Sequence, residues 1–594
     1  MAHSAVCRAS RGVPHSPSVP RCLPHLLVTS AHLPGAPDAP TAEPRARAPR
    51  LAATIVVVRD GPRGIEVLLS RRAERGDHNS GAWVFPGGLV DPGDRKAHLC
   101  CRGLDDALAS QRLRLAQGGL DFYVAAVREC FEESGLLFAC DAGGSIVCPD
   151  EALAARMAPW RRALHAGEKE LGDLCAEFGL SFALDRLVYF SHWITPPSRP
   201  KRFDTRFFLA AAPVGQIAAH DGAELVEQLW LTSAEALHES AALKLLTPTQ
   251  KTLELIGRHG DVESLLAWAR SRPEVQVTEP RIGIGSRGQQ SLISDEPAWA
   301  ELGRIDPEGQ GTQCYEIQPG KAVRLSPRIV RVSAPNGSVM TGPGTNSYFV
   351  GGGADNTWAL IDPGPLIEAH VATLLATAPG PVRWIFATHT HLDHSPAVQP
   401  LKALTGARVY GQIAAHPEWQ DAAFVPDTVL RGGERIALSA DTTLRAVHTP
   451  GHASNHLCYL LEEEKTLFTG DHLMQASTVV INPPDGDMAA YIASLRGLLD
   501  LDLEWLAPGH GFLMADPHSA IRAVIAHRLR REAKIVAALQ EQPDASAEEL
   551  LPRVYADVSE RLHKMAMRSL TAHLLKLQVD GRAVLREGRW RLQL

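Results

Sequence analysis

Short apolar runs, bounded by turns rich in glycine and proline, set the pattern of this chain after residue 50. The run 51–58 is rich in β-branched residues, a turn follows at 60–62, and a second apolar run covers 67–69. Together they predict a β-hairpin. Strand and helix signals continue to about Ala269. Residues 272–318 are irregular, with repeated Gly, Pro and Ser, and predict an interdomain linker with short local structure.

A second series of apolar strands runs from near Lys321 to near Pro517. The rest of the chain predicts helices over 521–541, 546–555 and 559–580, then a small hairpin that turns at 587–588. Helices followed by a small hairpin are typical of a winged-helix module. The predicted domain bounds are 51–271, 321–517 and 518–594, with a linker at 272–320.

The first 50 residues stand apart from this pattern. They are rich in Pro, Ala, Arg and His, and carry no acidic residue before Asp38. This composition predicts a disordered extension, or a translation start placed too far upstream. An organellar transit peptide is the alternative.

Composition narrows the class of protein. The 594 residues are 45% apolar and 21% charged, with a net charge of −7, so the chain as a whole is no general nucleic-acid binder. No apolar run reaches the length of about 18 residues that a membrane span needs. The 10 cysteines include no C-x-x-C pair, which argues against a disulfide framework and a cysteine zinc site. We expect a cytoplasmic protein of two to four domains.

Four potential metal ligands follow the apolar run 382–387 within six positions. They are His389, His391, Asp393 and His394. Three later segments repeat the pattern of a strand followed by a ligand, and a glycine precedes each of these ligands. The ligands are His452, Asp471 and His510, and the glycines are Gly451, Gly470 and Gly509. A glycine there permits a sharp turn that points the next side chain into a site. The segment 360–364 fits a further loop beside this cluster.

Neutral imidazole and carboxylate suit Zn²⁺ and related ions, here Mn²⁺ or Fe²⁺. Because so many groups cannot reach one small ion from one side, we predict two adjacent ions. One ion receives His389, His391 and His452, the other receives Asp393, His394 and His510, and Asp471 bridges them. A hydroxide held between the ions is the expected nucleophile. We also predict that Asp393 takes part in catalysis.

This ordered set of motifs, over roughly 321–515, resembles the metallo-β-lactamase superfamily, which implies a four-layer αββα sandwich with a dinuclear site at one edge. The segments 334–336, 342–348 and 484–488, with the run 527–532, resemble the lactamase-beta-like branch with its C-terminal winged helix. That branch includes a single-strand endoribonuclease. Two departures, Ser395-Pro396 after the cluster and His472 after the bridging Asp, concern the rim of the pocket.

The tail gives a further indication about partners. Residues 521–594 carry 14 Lys and Arg against 9 Asp and Glu, an excess of +5. A basic winged helix would contact phosphates of single-stranded RNA. A solvated helical face that caps the active-site groove is the alternative.

A second candidate metal site lies in the first domain. In a helix from about Phe122, Glu129, Glu132 and Glu133 share one face, where they would gather Mg²⁺ or Mn²⁺. Arg128 stands four residues before Glu132 and would orient it. Upstream, the run 83–88 forms a tight glycine-rich loop.

These residues resemble the Nudix hydrolases, an α/β/α sandwich fold, over about 51–255. Asp94 stands where Glu is usual, and a long insertion separates it from Arg128. The segments 192–196 and 202–208 resemble the branch that includes coenzyme A diphosphatases. The resemblance implies cleavage of a nucleoside-diphosphate-linked compound, with Glu129 in catalysis and Glu224 or Glu227 as a further ligand or base.

Sequence therefore predicts a metallo-hydrolase with metal-activated water in both domains. For the second domain, single-stranded RNA and a small ester, thioester or lactone remain competing substrates. For the first domain, the alternative is a degenerate Nudix fold that binds a nucleotide and regulates a thioesterase or esterase. The sequence leaves the oligomeric state open.

Overall fold

The computed structural model describes residues 48–74, 79–222, 224–475 and 478–593. The prediction of a disordered extension over residues 1–50 therefore falls, up to residue 47, outside the described residues.

The N-terminal domain is built on a mixed sheet with helices on both faces, in the order β10-β2-β1-β9-β8-β11, with β3 beside β2 and β4 beside β1. One face packs against the apolar sides of α1 to α4, and the other packs against α5, α6 and α7. This is the α/β/α sandwich that the sequence predicted. The strands of this domain are β1 Arg50–Gly61, β2 Gly64–Arg72, β3 Trp83–Val84, β4 Gly87–Leu89, β5 Cys101–Arg102, β6 Ala139–Cys140, β7 Ser181–Ala183, β8 Val188–Ile194, β9 Phe203–Ala211, β10 Leu225–Thr232 and β11 Val277–Thr278. Its helices are α1 Asp106–Leu113, α2 Gly119–Ser134, α3 Glu151–His165, α4 Leu171–Phe178, α5 Ser233–Leu237, α6 Thr247–Ile256 and α7 Val262–Ser271, with 3-10 turns at Asp94–Cys100, Leu184–Arg186 and Glu239–Ala241.

Helix α2 carries the predicted glutamates and is the central helix of this domain. It begins at Gly119, three residues before the predicted start, and ends at Ser134; the flanking Gly118 and Gly135 both adopt left-handed backbone conformations. A left-handed glycine after the last turn is a common way to end a helix. Most of α2 is buried, so its position on the sheet is fixed by packing.

The segment predicted as a linker has more structure than its composition indicated. It forms a hairpin, β12 Arg281–Gly285 and β13 Gly288–Leu292, and helix α8 Trp299–Ile305. Leu292, Leu302 and Tyr315 belong to a small core of its own. The assignment of 272–320 as a linker between domains remains a prediction, but its middle part packs as a folded unit.

The central domain consists of two packed sheets between two helical layers. In β17, Ala359 and Ile361 face the second sheet, whereas Trp358 and Leu360 face helices α9 and α10. The outer face of the second sheet packs on α11 and α12. This alternation gives the predicted four-layer αββα sandwich. The first sheet consists of β14 Ala322–Ser326, β15 Ile329–Ser333, β16 Asn346–Gly352, β17 Thr357–Ile361, β18 Val382–Phe386, β19 Arg408–Gly411 and β20 Thr428–Val429, and its helices are α9 Glu368–Thr377 and α10 Val398–Thr405. The second sheet consists of β21 Arg435–Ser439, β22 Thr442–His448, β23 Leu457–Leu461, β24 Thr466–Gly470, β25 Trp505–Pro508 and β26 Met514–Ala515, with helix α11 Met488–Leu498 and a 3-10 turn at Glu462–Glu464.

The C-terminal module has the predicted order of helices and hairpin. Its core includes Leu539, Leu550, Leu574 and Trp590. Its elements are α12 Pro517–Glu541, α13 Ala547–Val554, a 3-10 turn at Glu560–Leu562, α14 His563–Val579, β27 Ala583–Arg586 and β28 Arg589–Leu592. None of the helices in the described part of the chain combines the length and apolar content that crossing a membrane requires.

Candidate metal centre

The predicted ligands of the central domain meet because several strands end at the same edge. In the first sheet, β17 and β18 run parallel, so the loop at Asp362 and the loop after Phe386 leave side by side. In the second sheet, β24 and β25 run parallel, and β22 points the same way because two antiparallel pairings separate it from β24. The loops that follow these strands therefore bring all seven predicted ligands to one edge of the sandwich.

The first donor group joins His389, His391 and His452. His389 Nε2 lies 2.9 Å from His391 Nδ1, and His452 Nε2 lies 3.0 Å from the same atom. The candidate ligand atoms of all three residues lie within 4.8 Å of one another. Three imidazole nitrogens that converge on one point are a common arrangement for a divalent ion.

The second donor group joins Asp393, His394, Asp471 and His510. His394 Nε2 lies 3.4 Å from Asp393 Oδ2 and 3.3 Å from Asp471 Oδ1. His510 Nε2 lies 3.4 Å from Asp393 Oδ2 and 3.2 Å from Asp471 Oδ1. Ligands 2.0–2.1 Å from a tetrahedral ion are separated by about 3.3–3.4 Å, so these four separations fit such an ion.

Asp471 connects the two groups. Its Oδ1 atom belongs to the second group, while its Oδ2 atom lies 3.8 Å from His452 Nε2 in the first. The two oxygens of one carboxylate thus face different donor groups, which is the arrangement expected of a bridging ligand.

Outer hydrogen bonds orient the histidines of both groups. Asp362 accepts hydrogen bonds from the Thr388 backbone N–H at 2.7 Å and from the Thr388 hydroxyl at 2.8 Å, and it lies 2.9 Å from His394 Nδ1. His452 Nδ1 lies 2.8 Å from the Val480 carbonyl oxygen. Such partners direct the opposite ring nitrogen toward the site. The loop at 360–364 therefore places Asp362 where it orients His394. The sequence pattern had placed this loop beside the cluster without indicating that role.

The electrostatics of the donors fit a cation. Burial and neighbouring histidines hold the pKa of His389 well below its usual range and lower that of His391 to about 3, so these imidazoles have free lone pairs. Burial opposes protonation of His510 too, but Asp471 and Asp393 raise its pKa to about 9. His394 Nε2 and Asp471 Oδ1 are buried without a hydrogen-bond partner among the described residues. A positive charge between these carboxylates and imidazoles would satisfy both atoms.

The three glycines before the later ligands serve two different purposes. Gly451 and Gly470 have φ of +142° and +46°, so they provide the turn that the sequence predicted. Gly509 does not have a positive φ. A Cβ at Gly509 would lie 2.8 Å from Asp471 Oδ1 and 2.8 Å from His394 Cε1, so this glycine leaves space for two ligands.

Two further histidines, His456 and His472, lie behind the first donor group. The sequence pattern indicated no role for His456, and the expectation that His472 lies at the rim of the pocket is wrong, because its side chain is fully buried. His456 and His472 are fully buried; the ring of His456 lies 5.1 Å from that of His389 and 5.5 Å from that of His472. Burial lowers the pKa of both, that of His472 to about 3. His472 Nε2 lies 3.2 Å from the Ser494 hydroxyl. As neutral rings, His456 packs behind His389 and His472 packs behind His456. The sequence could have indicated them through their positions directly after Asn455 and Asp471.

The predicted glutamates of the N-terminal domain lie on α2 as expected, but their carboxylates form hydrogen bonds with different partners. Arg128 donates to Glu129 Oε1 at 2.9 Å and, at 3.5 Å, to Glu132 Oε1, whereas Glu133 Oε2 accepts from the Gly87 backbone N–H at 2.9 Å. Among the described residues, the three carboxylates do not form a donor group within 4.8 Å. Burial raises the pKa of Glu132 to about 7 and that of Glu133 well above its usual range. These glutamates therefore remain predicted ligands.

The N-terminal motif is completed across its long insertion. Arg128 donates to Asp94 Oδ1 at 2.8 Å and to Asp94 Oδ2 at 3.2 Å. A Cβ at Gly88 would lie 2.2 Å from Glu129 Oε1, so the glycine-rich loop packs directly on that glutamate. The other two candidates, Glu224 and Glu227, pair with Arg72 and Arg71 at 2.8 and 2.9 Å.

Comparison with known families accounts for all three domains. The family model described as "Metallo-beta-lactamase superfamily" matches residues 340–510. The model described as "NUDT19 Nudix domain" matches 45–255, and that described as "Beta-lactamase associated winged helix domain" matches 546–590.

Relatives of this chain match less than half of its length. "Atrochrysone carboxyl ACP thioesterase" of Aspergillus chevalieri is 31% identical over 274 residues, which cover 43% of this chain and 83% of the relative. The chain belongs to the metallo-beta-lactamase superfamily. "Beta-lactamase-like protein 2 homolog" of Drosophila melanogaster is 29% identical over 278 residues, 44% of this chain and 90% of the relative. A solved NUDIX hydrolase from Alicyclobacillus acidocaldarius is 30% identical, with a TM-score of 0.32, over 37% of this chain and 96% of that one.

Membership of the metallo-beta-lactamase superfamily, with an N-terminal Nudix domain and a C-terminal winged helix, confirms the resemblances found in the sequence and makes the chain a hydrolase. The family and the donor cluster together indicate that it binds divalent metal.

The motif at 527–532 joins two domains, because the buried Arg528 donates to the Val479 carbonyl oxygen and lies over the Tyr491 ring.

Proposed function

We propose that the metallo-beta-lactamase domain is a dinuclear hydrolase that cleaves small acyl thioesters. The observation that carries this proposal is the pair of donor groups joined by the two oxygens of Asp471. Zn²⁺, Mn²⁺ or Fe²⁺ bound there would supply Lewis acidity and lower the pKa of water.

The chain's own residues supply orientation and a proton acceptor. Asp362 and Val480 fix the ring orientations of His394 and His452, so the donors need no rearrangement when substrate arrives. The Asp393 side chain is 28% exposed, more than the other donors of its group. Its Oδ2 atom faces His394 and His510, and we assign its other oxygen, Oδ1, as the atom that accepts a proton from the attacking water.

Large apolar side chains near the donor groups favour an acyl substrate. Leu392, within the metal loop, is 59% exposed, and Val339, in the loop that leads to Gly344 beside His510, is 78% exposed. Trp419 is 64% exposed and precedes Gln420, which accepts from the Thr390 hydroxyl at 2.6 Å. Exposed apolar side chains on several loops around one site are typical of a surface that binds an apolar ligand.

The tail gives less support to RNA than its composition indicated. Arg531 and Lys534 pair with Asp557, while Lys576 and Arg582 pair with Glu532. Cationic side chains that are already paired with carboxylates, or buried, contribute little to binding phosphates. The relatives named as ACP thioesterases, taken with this pairing, favour the thioester over single-stranded RNA.

A panel of acyl N-acetylcysteamine thioesters of increasing chain length tests the proposal through release of free thiol. We expect about two ions per chain, faster hydrolysis of longer acyl chains, and a loss of about 10²-fold or more in His389→Ala and Asp471→Asn. Asp441→Asn, at an exposed site distant from the donors, is the matched control. No thiol release after reconstitution with any of the three metals would refute the thioesterase, and salt-sensitive cleavage of single-stranded RNA would establish the ribonuclease instead.

We also propose that the Nudix domain hydrolyses a nucleoside-diphosphate-linked compound with Mg²⁺ or Mn²⁺ at Glu129, Glu132 and Glu133. The supporting observation is the Asp94–Arg128 ion pair, which restores the motif across the insertion. Glu132→Gln combined with Glu133→Gln should abolish Mg²⁺-dependent hydrolysis of a panel of dinucleoside and nucleotide-sugar diphosphates. An unmodified domain that binds these compounds without cleaving them would establish the regulatory alternative.

A further inference from the structure

A large cavity in the Nudix domain lies apart from the glutamates of α2. Its volume is about 950 Å³. It lies between the end of α1, the start of α2, the strands β8 and β9, and the segment 269–277. Ligand pockets for small molecules have volumes of about 300–1,000 Å³, so the cavity is large enough for a nucleotide-sized compound.

Arg206 is the most informative group in the wall of this cavity. The residue is 5% exposed, and its Nε atom has no hydrogen-bond partner among the described residues. Its Nη1 atom lies 2.5 Å from Asp204 Oδ1, but the same oxygen lies 2.5 Å from His192 Nε2. One carboxylate oxygen thus serves both groups. A buried guanidinium with unused donors costs free energy unless an acceptor is supplied, which points to an anionic ligand.

The rest of the wall has the same preference. The Tyr123 hydroxyl is also buried, beside the Arg112 guanidinium, but it has no partner with good hydrogen-bond geometry among the described residues. Cationic side chains outnumber acidic ones in the lining, and one of the acidic residues, Glu274, pairs with Arg114. The cationic residues are Arg112, Arg114, Arg206, Arg270 and Arg272, and the acidic ones are Asp185 and Glu274. Guanidinium groups bind phosphate through paired N–H donors.

The sheet register places this cavity beside, but not on, the predicted diphosphate site. Gly88, Ala53, Arg206 and His192 lie in one row across β4, β1, β9 and β8. The Arg206 guanidinium lies over the ring of Phe122, 4.5 Å from its centroid, while Glu129 lies over Gly88. Phe122 and Glu129 are seven residues apart on α2, or about 10 Å along its axis. The two sites therefore lie under opposite ends of one helix.

We infer that this cavity binds a phosphate-bearing small molecule through Arg206, Arg112 and Tyr123. Arg206 supplies the buried charge, and Arg112, at the solvent-exposed rim, supplies a second guanidinium. A ligand in this cavity would also contact residues 272–277, which begin the segment that leads to the metallo-beta-lactamase domain. The inference is independent of both proposed hydrolytic activities, because none of these side chains belongs to either donor set.

Calorimetric titration of the full-length protein with inorganic phosphate, pyrophosphate and ADP tests this site, with EDTA present to suppress binding at metal. We expect binding of pyrophosphate or ADP that weakens about tenfold or more in Arg206→Gln and severalfold in Arg112→Gln. Arg63→Gln, an exposed and paired arginine of the same domain, is the matched control and should bind normally. Glu132→Gln combined with Glu133→Gln should also bind normally.

Hydrogen exchange locates the ligand independently of affinity. ADP or pyrophosphate should protect residues 111–114 and 269–277 more than the C-terminal half of α2. If Arg206→Gln fails to fold, Arg112→Gln and Tyr123→Phe decide the question. The inference is wrong if none of the three anions binds at about 10 mM, or if the folded arginine variants bind as tightly as the unmodified protein.

Discussion

Asp471 is the residue at which the two donor groups meet. Its two oxygens face different groups, and both His394 and His510 lie within 3.3 Å of its Oδ1 atom. Such closeness is possible because Gly509 has no side chain to occupy the space beside it. A single glycine in a loop therefore sets how closely these candidate ligands approach one another.

Gly509→Ala should weaken the second donor group and also lower the stability of the fold, because the added Cβ would lie 3.0 Å from the backbone carbonyl carbon of Gly470. The added Cβ would lie 2.8 Å from Asp471 Oδ1 and from His394 Cε1, so both ligands must move. On the proposed function, we expect a fall in metal content from the proposed two ions per chain toward one, and a loss of about 10-fold to 100-fold in the rate of thioester hydrolysis, as for other displaced metal ligands. Metal analysis after dialysis, with thermal unfolding, measures both effects.

Gly497→Ala is the matched control for this change. It lies in α11 with no heavy atom within 4 Å of the added Cβ, so it should leave metal content unchanged and stabilise the helix by about 0.5–1 kcal/mol. Two ions per chain retained in Gly509→Ala would show that the loop tolerates the added atom.

At the scale of elements, the short helix α8 lies outside the sandwich but forms buried contacts with it. Helix α8 belongs to the segment predicted as a linker, yet its Glu301 forms a buried pair with Arg331 of β15, with Oε2–Nη1 and Oε1–Nη2 separations of 2.6 and 2.9 Å. Glu301 also accepts from the Leu513 backbone N–H at 2.8 Å. Composition predicted a loop here because Gly, Pro and Ser are frequent, but the packing of a few residues such as Leu302 overrides that tendency.

Breaking this pair from either side should be costly. Glu301→Gln or Arg331→Met leaves a buried charge without its partner, and we expect each to lower the free energy of unfolding by about 3–5 kcal/mol. The double variant should lose less than the sum of the two. Urea unfolding of the full chain, followed by tryptophan fluorescence, measures the coupling.

The exposed pair Arg328–Asp441 is the control, because its side chains are 28% and 58% exposed. Its removal should change stability by about 1 kcal/mol or less. An Arg331→Met variant as stable as Arg328→Met would show that the buried pair contributes nothing.

At the scale of the whole molecule, three domains follow one another, and side-chain contacts cross the predicted bounds between them. The C-terminal module is fastened to the central domain by Arg528, and α8 fastens the preceding segment to the same domain by Glu301. A fragment that begins at residue 321 therefore lacks a partner for Arg331.

A fragment of residues 281–594 should be more stable than one of 321–594. The shorter fragment buries Arg331 without Glu301 and loses the small core of Leu302 and Tyr315. Thermal unfolding and metal content of the two fragments measure the difference. The shorter fragment with Arg331→Met is the control and should recover part of the lost stability; equal stability of the two unmodified fragments would contradict the expectation.

The sequence alone determined the family and the order of domains, and it predicted the seven candidate metal donors, because these lie in loops that follow apolar strands in the order typical of the family. It also placed Glu129, Glu132 and Glu133 on one face of a helix, since that depends only on helical period. Contacts between distant segments were decided by the tertiary structure. Only packing joined Asp94 to Arg128 across an insertion, assigned Asp362 to His394, enclosed Arg206 in a cavity and gave Gly509 its spatial role, because these depend on which strand edges and helix ends meet.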